Sequence, residues 1–441
     1  MIRPLIAQAL HSLRHQKLSQ DIAFSLGSFA VLAISGIVIN IVITVFRDAA
    51  ALGVFNIAYA VYIVASQVAV WGLHYSVLRH AAYHASDQEA RGHMLLTAAV
   101  CSIAMGLGAG AVVFQAEPLF AVAFNSETTG AAIRNTALGL TVFPLNKVLI
   151  AYLNGLREMR AYAVLQALRY LMIMALVALV AASSLPIEVS TFCFFVAELL
   201  TLVTACLYIA SRRLVGTLGF RRSWVVRHYQ FGTKALAAGL FTEVNSRVDV
   251  LMIGIFLSDR ATGIYSFAAM LVDGVYHVLA MVRINFNPIL VAAIRDRDWR
   301  TVLNLRRQAR RIVLPVTIVL ALGLIATYYV FTAWVMPSEK GLLEGLPSLA
   351  ILLGGLTLIC FLVPFDNLLM VSGHPGYQTL QQLVLVVTNI TVAVLLLPLL
   401  GIEGAALGTA VSYVAGVLTM AIFANRLLGW NLFTNTIRSA E

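Results

Sequence analysis

Twelve apolar runs, each near 20 residues or longer, recur along this chain and leave very few folds open to it. They fall roughly at 22–46, 49–78, 94–115, 131–155, 161–183, 188–210, 232–257, 261–290, 312–335, 346–371, 378–400 and 402–425. A helix rises 1.5 Å per residue, so about 20 apolar residues match the hydrocarbon thickness of a bilayer. Only 11% of the residues are charged and 60% are hydrophobic, where soluble domains carry about 25% charged residues. The fold class expected is therefore all-α, a polytopic membrane protein of about twelve transmembrane helices. The formal charge of +10 does not point to nucleic acid, because the basic residues sit between the apolar runs rather than on a soluble face.

Those basic residues set the orientation. With the N-terminus inside, 21 of the 30 Lys and Arg residues fall in cytoplasmic links and three fall outside, a bias that puts both termini in the cytoplasm. Residues 1–20 lack the apolar core and cleavage site of a signal peptide and read as a basic amphipathic segment on the membrane surface. The link RDRDWRTVLNLRRQARR, residues 295–311, is expected to face anionic lipid, with docking of a partner enzyme as its alternative use. The four cysteines, Cys101, Cys193, Cys206 and Cys360, lie inside apolar runs without metal-ligand spacing and read as small packing residues.

The chain also repeats itself. Phe46, Ala51, Gly53 and Ala58 recur without a gap as Phe256, Ala261, Gly263 and Ala268, and both segments join the first two runs of a half. Tyr162 to Gln166 echoes Tyr377 to Gln381, and Glu188 falls opposite Glu403. The repeat divides the chain into an N-terminal six-helix bundle over 21–211, a cytoplasmic linker over 212–231, a C-terminal six-helix bundle over 232–425 and a tail over 426–441. Six spans per half make the repeat parallel and place a central cavity between pseudo-symmetric bundles.

Ionised side chains interrupt the apolar runs, most densely between Phe231 and Pro288. A charge at bilayer depth costs about 2.5–3.5 kcal/mol even on the lenient insertion scale, so each needs a partner or a wet path. Glu243 and Arg247, four apart, lie about 40° around one helix and are able to pair. Asp249 sits about 120° from Glu243 and needs another partner. Asp273 and His277 repeat the four-residue spacing on the next helix, as a proton relay or an interhelical hydrogen bond. Arg283 lies near the cytoplasmic end of its run, where it either snorkels or lines the path. Lys147 and Arg169 pose the same choice in the first half, with Glu198 a partner for one of them.

The run Arg247-Val-Asp249-Val-Leu-Met-Ile-Gly254 through Gly263-Ile-Tyr265-Ser-Phe-Ala268, the matching Leu52-Gly53-Val-Phe-Asn56, and the late hairpin Pro398-Leu-Leu-Gly401-Ile-Glu403-Gly404 resemble flippases of lipid-linked oligosaccharides. These are the polysaccharide-transporter branch of the superfamily that also holds the multidrug exporters. The resemblance implies two bundles opening alternately to each side of a prokaryotic inner membrane. It implies a polyprenyl-pyrophosphate-linked oligosaccharide as the substrate, moved from the cytoplasmic to the outer leaflet for surface polysaccharide biosynthesis. A pyrophosphate needs cations, and an arginine fork suits its oxygens, which makes Lys147, Arg169, Arg247 and Arg283 the candidate substrate-binding residues. Asp249 stands at the family's usual acidic position; with Glu243, Asp273 and His277 it forms the candidate set for proton or sodium coupling or for gating.

The rival transport reading is an exporter of small organic cations driven by protons or sodium, with the acidic residues as its ion site. No metal-ligand set, nucleophile-plus-base pair or phosphate-cradling glycine loop occurs in the sequence, so neither an enzyme nor a resident cofactor is expected.

Overall fold

The computed structural model describes residues 24, 26–336 and 341–437, apart from the side chains at 237 and 238. The surface segment expected over residues 1–20 lies outside the described residues. Within them the chain is helical almost throughout, an all-α polytopic membrane protein. Eleven helices are long and apolar enough to cross a bilayer, and each coincides with one of the twelve apolar runs. The remaining run, 232–257, is also helical but is broken near its middle.

In chain order the helices are α1 (Leu26–Phe46), α2 (Ala49–Val70), α3 (Leu73–Tyr83), α4 (Gln88–Gln115), α5 (Glu117–Ala123), α6 (Glu127–Gly155), α7 (Met159–Ala182) and α8 (Cys193–Ser211). They continue as α9 (Arg222–Asn245), α10 (Val248–Phe256), α11 (Asp259–Arg295), α12 (Trp299–Gln308), α13 (Leu314–Val330), α14 (Leu346–Ile359), α15 (Leu368–Val371), α16 (Pro375–Leu400) and α17 (Ile402–Leu428). A short antiparallel hairpin, β1 (Trp430–Asn431) with β2 (Thr436–Ile437), follows. Contacts gather the chain into two compact units. The first runs to Val42 and takes in Ala65–Pro118 and Ala131–Leu236; the second comprises Ile43–Val64, Leu119–Gly130 and everything from Ala237 onward.

The core of the first unit is built from Leu73, Val77, Met94, Val148, Tyr152 and Trp224, all buried. The sequence reads a single run over 49–78, but the structure breaks it at Trp71 and Gly72, whose φ values are 47° and 68°. Gly72 is required there, because a side chain would collide with the Gly232 carbonyl. The strained Trp71 is held by a hydrogen bond from its Nε1 to Thr233 Oγ1, 3.0 Å. Beyond the break, His228 of α9 is fully buried, within 2.9 Å of Ser76 Oγ and 3.3 Å of the Met94 carbonyl. Its ring stacks on Trp224, whose other neighbours are His80 and His84 of α3 and the segment after it.

The internal repeat becomes visible in the second unit, at the crossing of α2 and α11. Gly53 lies against the carbonyl of Asp259, and Gly263 lies against the carbonyl of Ala49, so closely that a Cβ on either glycine would run into backbone. Each glycine meets the residue four positions before the other, as a two-fold crossing demands. The caps repeat as well: Asp48 accepts from the Ala51 N–H at 2.7 Å and Ser258 from the Ala261 N–H at 3.2 Å. A side-chain oxygen at this position satisfies a helix-end donor that nothing else inside the helix can reach. One copy carries an addition: the Asp259 carboxylate accepts from Ser126 Oγ at 2.6 Å and Thr129 Oγ1 at 2.8 Å, at the start of α6.

The basic link over 295–311 is amphipathic, but lipid does not receive its apolar face. Val302, Leu305 and Arg306 are buried inside the second unit, whereas Arg300, Arg307, Arg310 and Arg311 remain exposed. The packing of α12 against the C-terminal hairpin takes up the face that the sequence assigns to the membrane.

Two outcomes follow from this packing. Gly263→Ala should lower unfolding stability by about 1–3 kcal/mol, as overpacked sites do. Gly274→Ala, on the same helix with open space around it, should gain up to about 1 kcal/mol of helix propensity. Thermal unfolding in detergent compares the pair. Burial, opposed by the Met94 carbonyl and helped by the His80 charge, pushes the His228 imidazole down to about 4 from its ordinary 6.5. As pH falls through 6.5 the unfolded chain takes up this proton first, so the folded state loses ground until the folded pKa is passed. Lowering the pH from 7 to 5 should cost roughly 2 kcal/mol, and His228→Gln should flatten that part of the pH–stability curve.

Candidate functional site

The break in the run 232–257 organises the candidate site. The sequence supports a continuous helix in which Glu243 and Arg247 pair four residues apart. Instead α9 ends at Asn245, and Arg247, with φ −131° and ψ −9°, starts α10. Leaving helical geometry carries Arg247 off the register that would bring it to Glu243, and the two form no ion pair among the described residues. Its guanidinium lies over the Tyr59 ring at 4.9 Å, and its Nε is buried without a hydrogen-bond acceptor. The carboxylates of Asp273, Glu243 and Asp249 contribute negative potential at this cation.

Asp249, in the first turn of α10, finds the separate partner that its spacing called for. Its Oδ2 accepts from the Tyr265 hydroxyl at 2.7 Å and its Oδ1 from the Val250 N–H at 2.9 Å. Tyr265 is fully buried, which fixes the carboxylate from the side of α11. Asp273 and His277 keep their four-residue spacing on α11, and both side chains are exposed. They form no interhelical hydrogen bond among the described residues. One face of the second unit therefore presents an arginine, a fixed carboxylate and an exposed carboxylate–imidazole pair.

Arg283 does not snorkel. Its Nη1 lies 3.0 Å from Asp366 Oδ2, with the two side chains 21% and 24% exposed, and 3.4 Å from the Tyr276 hydroxyl. Asp366 belongs to a second interruption: the expected run 346–371 leaves α14 at Ile359, makes a 3-10 turn over Val363–Phe365 and resumes briefly as α15. Pro364, unable to donate a backbone hydrogen bond, stands inside that turn. Gln381 Nε2 donates to the other Asp366 oxygen at 3.2 Å, so the carboxylate is held from α16 and from α11 together.

In the first unit the remaining candidates separate. Arg169 Nε lies 2.6 Å from Glu198 Oε1, with side chains only 7% and 1% exposed. Asn146 Nδ2 donates to both the Glu198 carbonyl and its Oε2, at 2.6 and 2.7 Å. The Arg169 guanidinium also stacks on Phe143 and Tyr170, at 4.8 and 5.4 Å. The cation is thus neutralised by a carboxylate and packed between two rings. Lys147 is half-buried, with its ammonium 5.7 Å from the same Phe143 ring. Arg169 is thus one partner of Glu198, as the sequence allowed.

The family model of polysaccharide biosynthesis proteins matches residues 42–330, more than half of the chain. The chain belongs to the polysaccharide biosynthesis protein family. Solved structures agree on its fold. It is similar to an inward-facing multidrug resistance MATE family transporter of the MOP superfamily, at 15% identity and a TM-score of 0.73, covering 93% of this chain and 96% of that one. It is equally similar to lipid II flippase MurJ in an inward closed conformation, at 15% identity and a TM-score of 0.74, covering 92% and 87%. A MOP superfamily transporter from Pyrococcus furiosus shares 14% identity with a TM-score of 0.57, covering 94% and 95%. Among curated proteins none matches the chain by sequence.

Within this polysaccharide biosynthesis family member, sequence reading passed over Tyr59 and Tyr265 as functional groups. Tyr265 lies inside the quoted motif, and its distance from Asp249 in sequence, one helix and a turn away, hid the hydrogen bond. Tyr59 gave no signal, because an aromatic residue in an apolar run reads as packing. A separate shallow cleft of about 570 Å³ is lined by Ser258, Arg260, Glu344, Gly401 and Glu403 among others. It shares no residue with the charge cluster, and its Arg260–Glu344 pair is half exposed, so it is not the candidate site.

Glu198→Gln should destabilise this protein by about 3–5 kcal/mol, the cost of stranding a buried Arg169, seen as a lower unfolding temperature and reduced yield in detergent. The double change Arg169→Met with Glu198→Leu should recover most of that loss.

Proposed function

We propose that this protein is a flippase that carries a polyprenyl-pyrophosphate-linked oligosaccharide from the cytoplasmic to the outer leaflet of a prokaryotic inner membrane. Its two six-helix halves open alternately, and both termini lie in the cytoplasm. The observation that carries this reading is Arg247. A guanidinium held at a helix break, stacked on Tyr59 with a buried Nε that no acceptor among the described residues fills, has an unmet need that a pyrophosphate oxygen satisfies. Arg169 has no such need, because Glu198 neutralises it, and it acts in packing. Lys147 and Arg283 are secondary contacts, with Arg283 available only when Asp366 releases it. Membership of the polysaccharide biosynthesis family supports the substrate class.

A second reading has its own support. Glu243, Asp249, Asp273 and Asp366 outnumber Arg247 and Arg283 in the second unit, and an acidic excess suits export of organic cations against protons or sodium. Asp273 and His277, both exposed, are the groups through which an ion would couple in either reading, with Asp249 and Glu243 behind them.

Arg247→Ala should cut translocation of lipid-linked oligosaccharide in proteoliposomes at least tenfold while leaving the unfolding temperature unchanged, because no protein hydrogen bond to its Nε is lost. Wild-type flipping by that variant removes Arg247 from the site. Deleting the gene separates the two readings: loss of surface glycan supports the flippase, and increased drug sensitivity with intact glycan supports the cation exporter.

A further inference from the structure

The C-terminal hairpin makes more of the chain's cytoplasmic end than a tail requires. After α17 the chain turns at Gly429, φ 64°, and buries Trp430 completely. The two strands pair Trp430 with Ile437 and Asn431 with Thr436, and Asn431 Oδ1 accepts from the N–H groups of Phe433 and Thr434 at 3.0 and 3.1 Å. A two-stranded hairpin of this size is not stable alone. It is fastened from α12 by Arg306, which is itself buried. Arg306 Nε donates to the Leu432 carbonyl at 3.1 Å and Nη2 to the Phe433 carbonyl at 3.4 Å, while Asn435 Nδ2 donates to the Leu303 carbonyl at 3.1 Å.

All of this bears on the interruption between α14 and α15. Trp430 packs edge-on against Phe365 at 5.6 Å, and Phe365 packs in turn against Phe286 at 5.8 Å. The Arg306 guanidinium lies over Phe361 at 4.9 Å. Phe361 and Phe365 bracket the non-helical turn, Asp366 follows directly, and Phe286 stands one helical turn beyond Arg283 on α11. A row of rings therefore runs from the tail, through the break, to the helix that carries Arg283.

We propose that the hairpin is a wedge that holds the α14–α15 break in shape, so that Asp366 meets Arg283, with Trp430 and Arg306 as its positioning residues. The consequence for transport rests on the reading of Arg283 as a headgroup contact. Without the wedge the break loses the packing on one side of Phe365, and the Arg283–Asp366 pair loses its fixed geometry.

Cys360, fully buried at the start of the break, reports on it directly. In a background carrying Cys101→Ser, Cys193→Ser and Cys206→Ser, Trp430→Ala should raise the rate of maleimide labelling at Cys360 at least tenfold, and Trp430→Phe should restore protection. Translocation of lipid-linked oligosaccharide should fall in Trp430→Ala and in Asp366→Asn, with the double variant no worse than the worse single one. Should Trp430→Ala fail to accumulate, Arg306→Gln, which frees the hairpin from α12, carries the same measurements. Unchanged labelling in these variants, or losses that multiply in the double variant, would overturn the wedge. Faster labelling with full translocation in Asp366→Asn and Arg283→Ala upholds the wedge and instead removes Arg283 from the substrate path.

Discussion

Backbone amides in hydrocarbon have no water to turn to, so a chain that crosses a bilayer many times must stay helical or supply other partners wherever it does not. Among the described residues this protein leaves the helix at three places within its apolar runs, and each is met by a specific arrangement. At Trp71 and Gly72 a close approach to Gly232 and the Trp71–Thr233 hydrogen bond hold the turn. At Ser246 and Arg247 the break frees a guanidinium that lands on Tyr59. Between Ile359 and Leu368 two phenylalanines and Asp366 are gripped from α11, α16 and the tail. Arg247 and Asp366 sit at the interruptions, where a chain that leaves the helix has polar groups to satisfy.

The two units each bury charge, on different terms at Arg169 and at Arg247. In the first, Arg169 and Glu198 neutralise each other so completely, with Asn146 and two aromatic rings in support, that the pair behaves as one neutral packing element. Such a pair contributes little net stability but is costly to split. In the second unit Arg247 has aromatic contact but, among the described residues, no bonded counterion. An anion from outside a protein binds readily only to a cation of the second kind.

Hydropathy alone placed eleven of the helices, since hydrocarbon thickness fixes their length and little else competes. The repeat was legible too, because a glycine needed for backbone contact leaves no substitute, and Gly53 and Gly263 stand where the two-fold crossing puts them. Spacing arguments failed where the helix did. The four-residue rule for Glu243 and Arg247 holds only on an unbroken helix, and neither Asn245 nor Ser246 announces a stop as proline would. Pro364 marks the second interruption in the sequence itself, but not the aromatic packing that shapes it, because Trp430 lies far along the chain. The Arg169–Glu198 pair was within reach, since two opposite charges in adjacent apolar runs have few other ways to survive.

The crossing of α2 and α11 has equal backbones and unequal fastenings. Both glycines and both caps obey the repeat, yet where the second copy has Asp259, tied to Ser126 and Thr129, the first has Ala49 and nothing to tie. The lopsided crossing is thus fastened unequally, by a carboxylate whose counterpart in the other half of the repeat is the bare methyl of Ala49.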